Sequence, residues 1–121
     1  MADVMRYDDN CLFCKIMRGE VPSDRVYEDS FCYAFRDIHP QAPTHILVVP
    51  RAHLVNVTEI NRENGDLIGH VFSAISKIAY REGIAEEGFR VIANSGPHAG
   101  QTVPHLHFHV LAGTQLGEKM V

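Results

Sequence analysis

No run of apolar residues in this 121-residue chain approaches the roughly 20 that a bilayer-crossing helix needs, so a membrane protein of that kind is not expected. Basic residues are outnumbered, with 11 Lys and Arg against 15 Asp and Glu; the formal net charge is −4 and the pI near 6.0. A polyanion such as duplex nucleic acid needs a basic stripe, so nucleic acid is not an expected partner. A small phosphate ester, held by a few local donors, stays compatible with that charge. Cysteine is scarce and odd in number, at three residues, which does not suit a disulfide framework. The first residues, with Asp3, Asp8 and Asp9, lack the pattern of a signal peptide, and a cytoplasmic protein is expected.

What remains is a chain of 45% hydrophobic residues, enough for one domain over 1–121 with a core of modest size. Residues 1–10 read as a loose polar lead-in and 114–121 as a short tail. Leu12, Phe13, Ile16 and Met17 recur at helical spacing, and Gly19 can end that short helix. Val26–Glu28 and Phe31–Phe35, joined by a turn at Asp29-Ser30, predict an antiparallel hairpin in which Cys32 is a buried small hydrophobe. His45–Pro50 is apolar enough for a central strand buried on both faces, with His45 opening it towards a cleft. Leu67, Ile68, Val71, Ala74, Ile75, Ile78 and Ala79 predict the main helix, starting between Asn61 and Asp66 and stopping at Gly83, with His70 on its surface. Phe89–Asn94 predicts a further strand. The expected fold is α+β, an antiparallel sheet of about five strands with one main helix and a short N-terminal one.

Chemistry concentrates in Pro104-His105-Leu106-His107-Phe108-His109-Val110-Leu111, where three imidazoles alternate with apolar residues. On an extended strand successive side chains point to opposite faces, so the three His share one side while Leu106, Phe108 and Val110 face a core. Imidazoles about 7 Å apart between next neighbours suit either a metal or a substrate that needs several proton-carrying groups. One ion bound by all three is poorly served, because the first and third stand about 13 Å apart. Ahead of the motif, Ser95–Thr102 is a loop with two glycines, which let backbone N–H groups approach an anion; Asn94, Gln101 and Thr102 add side-chain donors. Asp37, just past a strand end, suits either loop capping or the acceptance of bonds from two vicinal hydroxyls. Cys11-x-x-Cys14 reads as free thiols, a redox pair or half a metal site. With His53 and His105 it makes a tetrahedral set for structural zinc.

The triad motif, Asp37–His45 with Val48-Val49-Pro50, and Gly100–Val103 together resemble, in order and spacing, the signature blocks of the histidine triad family of nucleotide hydrolases and transferases. The resemblance runs from about Cys11 to Gly113 and is closest to the nucleoside phosphoramidase branch. It implies a homodimer in which two sheets join into one. It also implies a nucleophile at the middle imidazole, His107, which attacks the α-phosphorus of a nucleotide conjugate and forms a nucleotidyl-histidine that water opens. Flanking backbone carbonyls would fix its tautomer. His109 then donates to a phosphate oxygen or protonates the leaving nitrogen, His45 adds a donor or orients the row, and His105 completes the row or belongs to the metal set. Asp37 is assigned to the ribose, Leu12, Phe13 and Ile16 to the base, and Asn94, Gly100, Gln101 and Thr102 to the phosphate.

Some relatives with the same Cys pair bind zinc at the positions of Cys11, Cys14, His53 and His105, while catalysis itself requires no cofactor. The implied activity is a purine nucleoside phosphoramidase that releases AMP or GMP. Hydrolysis of dinucleoside polyphosphates, nucleotidyl transfer and a non-catalytic nucleotide-binding module share the same residues and stay open. Members of this branch often end in a Trp- and Pro-bearing tail; this chain has no Trp and departs from that pattern, so the resemblance implies nothing about the selectivity such a tail confers.

Overall fold

Thr44–Pro50 is apolar on both faces, and a strand of that kind stays folded only when both are covered. It lies at the centre of the sheet. In the computed structural model, which describes residues 9–118, the chain forms α1 (Leu12–Met17), β1 (Arg25–Glu28), β2 (Cys32–Arg36), β3 (Thr44–Pro50), α2 (Gly65–Arg81), β4 (Phe89–Ile92) and β5 (Phe108–Ala112). The strands make one antiparallel sheet in the order β1-β2-β3-β5-β4. The lead-in and tail expected at the ends lie in part outside the described residues. Among those described, no helix is long and apolar enough to cross a membrane.

Alternation divides the core in two. Cys32 and Ala34 of β2, Ile46 and Val48 of β3, and Phe108, Val110 and Ala112 of β5 face α2, whose Val71, Ala74, Ile75, Ile78 and Ala79 cover them. Tyr33, Phe35, Leu47 and Val49 face the other way and are covered in part by Phe13, Cys14 and Ile16 of α1. The six-residue α1 is too short to cap that whole face, which leaves the end carrying His45 and His109 beyond the helix. Cys32 is fully buried and its thiol is pushed up to about 12, chiefly by burial, so it acts as a small hydrophobe. His70 lies at the surface, its ring stacked on Phe31 at 3.8 Å.

Three expectations need correction. The triad does not lie on one paired strand: the ladder begins at Phe108, so only His109 is inside it while His105 and His107 precede it. The two faces nevertheless divide as expected: Leu106, Phe108 and Val110 join the core under α2, while the rings of His105 and His107 lie against Phe13 on the other side. The strand starting at Phe89 ends at Ile92, two residues early, its last pair being Ile92 with His109 of β5. His45 is buried, 5% exposed, and does not open onto a cleft, because the Asp37–Pro43 loop folds back over its ring.

Candidate active site

Five imidazoles, two thiols and a carboxylate gather on the α1 side of the sheet, and fixed backbone groups decide where the rings of His45, His105 and His107 carry their protons. His107 Nδ1 lies 2.7 Å from the carbonyl oxygen of His105. A carbonyl only accepts, so Nδ1 holds the hydrogen and Nε2 keeps its lone pair. Phe13 meets the His107 ring edge-on, with centroids 5.0 Å apart, and helps to hold the ring in place. Burial lowers the pKa of His107, opposed by its bond to the His105 carbonyl and by the charge of Asp37. The ring is neutral at pH 7.

The neighbouring chain has the opposite polarity. The backbone N–H of Gln41 donates to His45 Nδ1 at 3.0 Å, which leaves the His45 proton on Nε2. That Nε2 lies 2.9 Å from His109 Nδ1 and 3.4 Å from Asp37 Oδ2. His109 Nδ1 therefore accepts, and His109 carries its own hydrogen on Nε2. Burial holds His109 down to about 4, helped by repulsion from His107 and His45, and burial lowers His45 as well. The rings of His107 and His109 stand 5.0 Å apart, so a lone pair and an N–H donor sit side by side.

Behind this pair is a second cluster. Cys11 Sγ and Cys14 Sγ lie 3.3 and 3.7 Å from His105 Nδ1, and His53 Nδ1 is 3.1 Å from the same atom. All four ligand atoms lie within 4.8 Å of one another and all four residues are buried. His105 Nε2 donates to the carbonyl of Pro50 at 2.9 Å, which turns the Nδ1 lone pair towards the thiols. Two thiols and two ring nitrogens in this orientation fit a metal ion. The atoms of Asp37, His45 and His109 are equally close, but there the Gln41 N–H forces a proton onto the His45 nitrogen that would have to bind. Proximity alone would rank the two clusters together, whereas proton placement separates them.

The remaining expected residues fall around the same face. Leu12 is exposed, while Phe13 and Ile16 are buried beneath the site. Asp37 Oδ1 accepts from the N–H of His39 at 2.8 Å, so this carboxylate caps its own loop and turns its second oxygen to His45. Asn94 is half-buried and Thr102 exposed. Gly100 takes φ 82° at the end of a single 3-10 turn, a conformation that favours glycine. Gln101 departs from its expected role: its Nε2 donates to Val55 O at 2.7 Å and Val103 O at 3.1 Å, and its Oε1 accepts from Gly96 N at 2.9 Å. Its side chain braces the loop and does not face outward. The Gln41 N–H and the Pro50 carbonyl are absent from the expected site because backbone groups leave no mark on residue type.

A model of the HIT domain matches residues 18–116. The purine nucleoside phosphoramidase of Escherichia coli K12 is 47% identical over 109 residues, covering 90% of this chain and 92% of that protein. An uncharacterised HIT-like protein of Synechococcus elongatus is 48% identical over 108 residues, 89% of this chain and 94% of its own length. Among solved structures, a HIT family hydrolase from Clostridium thermocellum superposes with a TM-score of 0.92 at 46% identity, covering 95% of this chain and all of that one. A histidine triad protein from Clostridium difficile gives 0.89 at 46% identity, over 93% and 97%. Family model, sequence relatives and fold agree, and the chain belongs to the histidine triad (HIT domain) family.

Proposed function

We propose that the chain is a cytoplasmic hydrolase of nucleotide conjugates, a purine nucleoside phosphoramidase that releases AMP or GMP. The observation that carries this reading is the 2.7 Å bond from His107 Nδ1 to the His105 carbonyl, which leaves a neutral, unprotonated Nε2 beside the His109 N–H. The Nε2 lone pair forms a bond to the α-phosphorus. The phosphorus–nitrogen bond breaks, and the leaving nitrogen departs with its electron pair and takes up a proton. Water then adds to phosphorus and gives up a proton, which balances the one taken up by the leaving nitrogen; the bond to His107 breaks, and its electrons return to Nε2 as the nucleoside monophosphate leaves.

His109 Nε2–H donates to a phosphoryl oxygen as charge builds there. Asp37 holds the ribose hydroxyls with the oxygen not committed to His39, and Leu12, Phe13 and Ile16 line the base pocket. Gly100, Thr102 and Asn94 surround the phosphate, with Gln101 fixing the shape of their loop. The phosphoramidase activity named for the 47% identical E. coli relative favours a phosphorus–nitrogen bond over a phosphoanhydride. Cys11, Cys14, His53 and His105 would hold zinc, whose role is to tie α1 to the segment entering β5; no catalytic step passes through it.

The homodimer implied by the family has a matching surface. Strand β4 is a sheet edge, and Phe72, Tyr80 and Phe89 are exposed along it and the adjoining flank of α2. Incubation with adenosine 5′-phosphoramidate tests the activity directly: AMP appears with the intact protein and not with His107→Ala. Absence of AMP with the intact protein refutes the reading. Sedimentation of wild type against Phe89→Asp tests the dimer separately.

A further inference from the structure

The Asp37–Pro43 loop has one contact that allows no extra atom. Gly113 sits just past β5 with φ 95°, and a Cβ built on it would lie 2.8 Å from Pro43 Cβ and 3.4 Å from both Pro43 Cγ and Thr44 N. The first of these is closer than carbon atoms approach, so the loop can occupy its position only against a glycine. Thr44 pairs with Ala112 in the sheet, which brings the two segments together at this point. Three residues before Thr44, the Gln41 N–H meets His45 Nδ1. We propose that Gly113 is a positioning residue: by admitting Pro43, it seats the loop whose Gln41 N–H keeps the His45 proton on Nε2, and His45 in turn presents His109 as an Nε2–H donor to the cleft.

The chain of contacts is continuous. Without the Gln41 donor, His45 is free to carry its proton on Nδ1 instead. His45 Nε2 would then be an acceptor facing His109 Nδ1, and the two lone pairs would repel unless His109 also reversed, moving its hydrogen away from the cleft. Two imidazoles 2.9 Å apart share a single hydrogen between them, so the tautomer of one sets that of the other. Asp37 Oδ2 at 3.4 Å from His45 Nε2 favours the same arrangement, because a carboxylate accepts and does not donate. Gly113 touches neither the rings nor the place where substrate would lie; its effect passes through the loop.

This inference rests on the phosphoramidase reading only for its effect on turnover; the tautomers are a property of the free protein. Two-bond 1H–15N spectra of 15N-histidine-labelled protein read them directly. Wild type is expected to show Nε2–H for both His45 and His109; Nδ1–H at His45 overturns the proposal whatever the variants do. Gly113→Ala is expected to give mixed tautomers at both rings, with kcat on adenosine phosphoramidate down by about 10–10²-fold and KM little changed. Adding Pro43→Gly removes both the Cβ and the Cγ that the new methyl group would meet and is expected to recover part of both, the remainder reflecting the positive φ. If Gly113→Ala does not fold, Gln41→Pro deletes the N–H without touching Gly113 and is expected to give the same mixed tautomers. A folded Gly113→Ala or Gln41→Pro protein with wild-type tautomers refutes the mechanism, even if activity is lost.

Discussion

His105 and His107 are two residues apart, yet their rings carry their protons on different nitrogens. His105 donates from Nε2 to the carbonyl of Pro50, and His107 donates from Nδ1 to the carbonyl of His105 itself. The first arrangement turns a lone pair back to the thiols, and the second turns one outward. A single stretch of backbone thus serves both a metal set and a nucleophile, and the two should respond differently to mutation.

Replacing Cys14 by Ser removes one of four buried ligand atoms. Bound zinc, measured by elemental analysis, should fall below one equivalent, and the thermal midpoint should drop by about 10 °C, the scale of a few kcal/mol in a domain of this size. Turnover at 25 °C should largely survive, because the Pro50 carbonyl still anchors His105 and the His105 carbonyl still orients His107. A variant with full metal content and no activity would reverse the assignment.

Acid should weaken the fold through the imidazole pair. Folding lowers the pKa of His109 from 6.5 to about 4 and shifts His45 in the same direction. A group whose pKa falls on folding binds protons better when unfolded, so its contribution is complete above about 6.5 and is lost as the pH falls towards 4. Thermal midpoints at pH 7.5, 6.0 and 5.0 should decline, and His109→Gln should flatten that decline. Parallel slopes for the two proteins would show that other groups cause it.

Phe13 should matter to both stability and rate. Its ring meets Phe35, His105 and His107 edge-on at 5.7, 5.9 and 5.0 Å. Phe13→Ala should destabilise the protein by about 3–5 kcal/mol in urea titration and lower kcat, since the nucleophile loses its lateral support. Phe13→Leu should recover more of the stability than of the rate. Equal recovery of both would make Phe13 a packing residue only.

The sequence made the faces of the sheet readable but not the protons of the site. Alternation placed Leu106, Phe108 and Val110 in the core opposite the imidazoles even though the ladder starts only at Phe108, because the apolar residues are drawn under α2 whether or not their backbone is paired in the sheet. The stripe from Leu67 to Ala79 marked the buried face of α2 for a similar reason. The burial of His45 was not legible, since it depends on a loop held by two prolines folding back over the strand. Nor was the inward turn of Gln101: a polar side chain in a glycine-rich loop looks the same in sequence whether it braces the loop or faces a ligand. Proton placement lay furthest from view, because the groups that set it are the Gln41 N–H and the carbonyls of His105 and Pro50.

The most direct measurement is to trap the intermediate. The protein is mixed with a slight excess of adenosine 5′-phosphoramidate, quenched in base within one turnover to protect a phosphorus–imidazole bond, digested and mapped by mass spectrometry. The account predicts an adenylyl group on His107 and on no other residue. Release of AMP with no adduct, or an adduct on His45, His105 or His109, would contradict it.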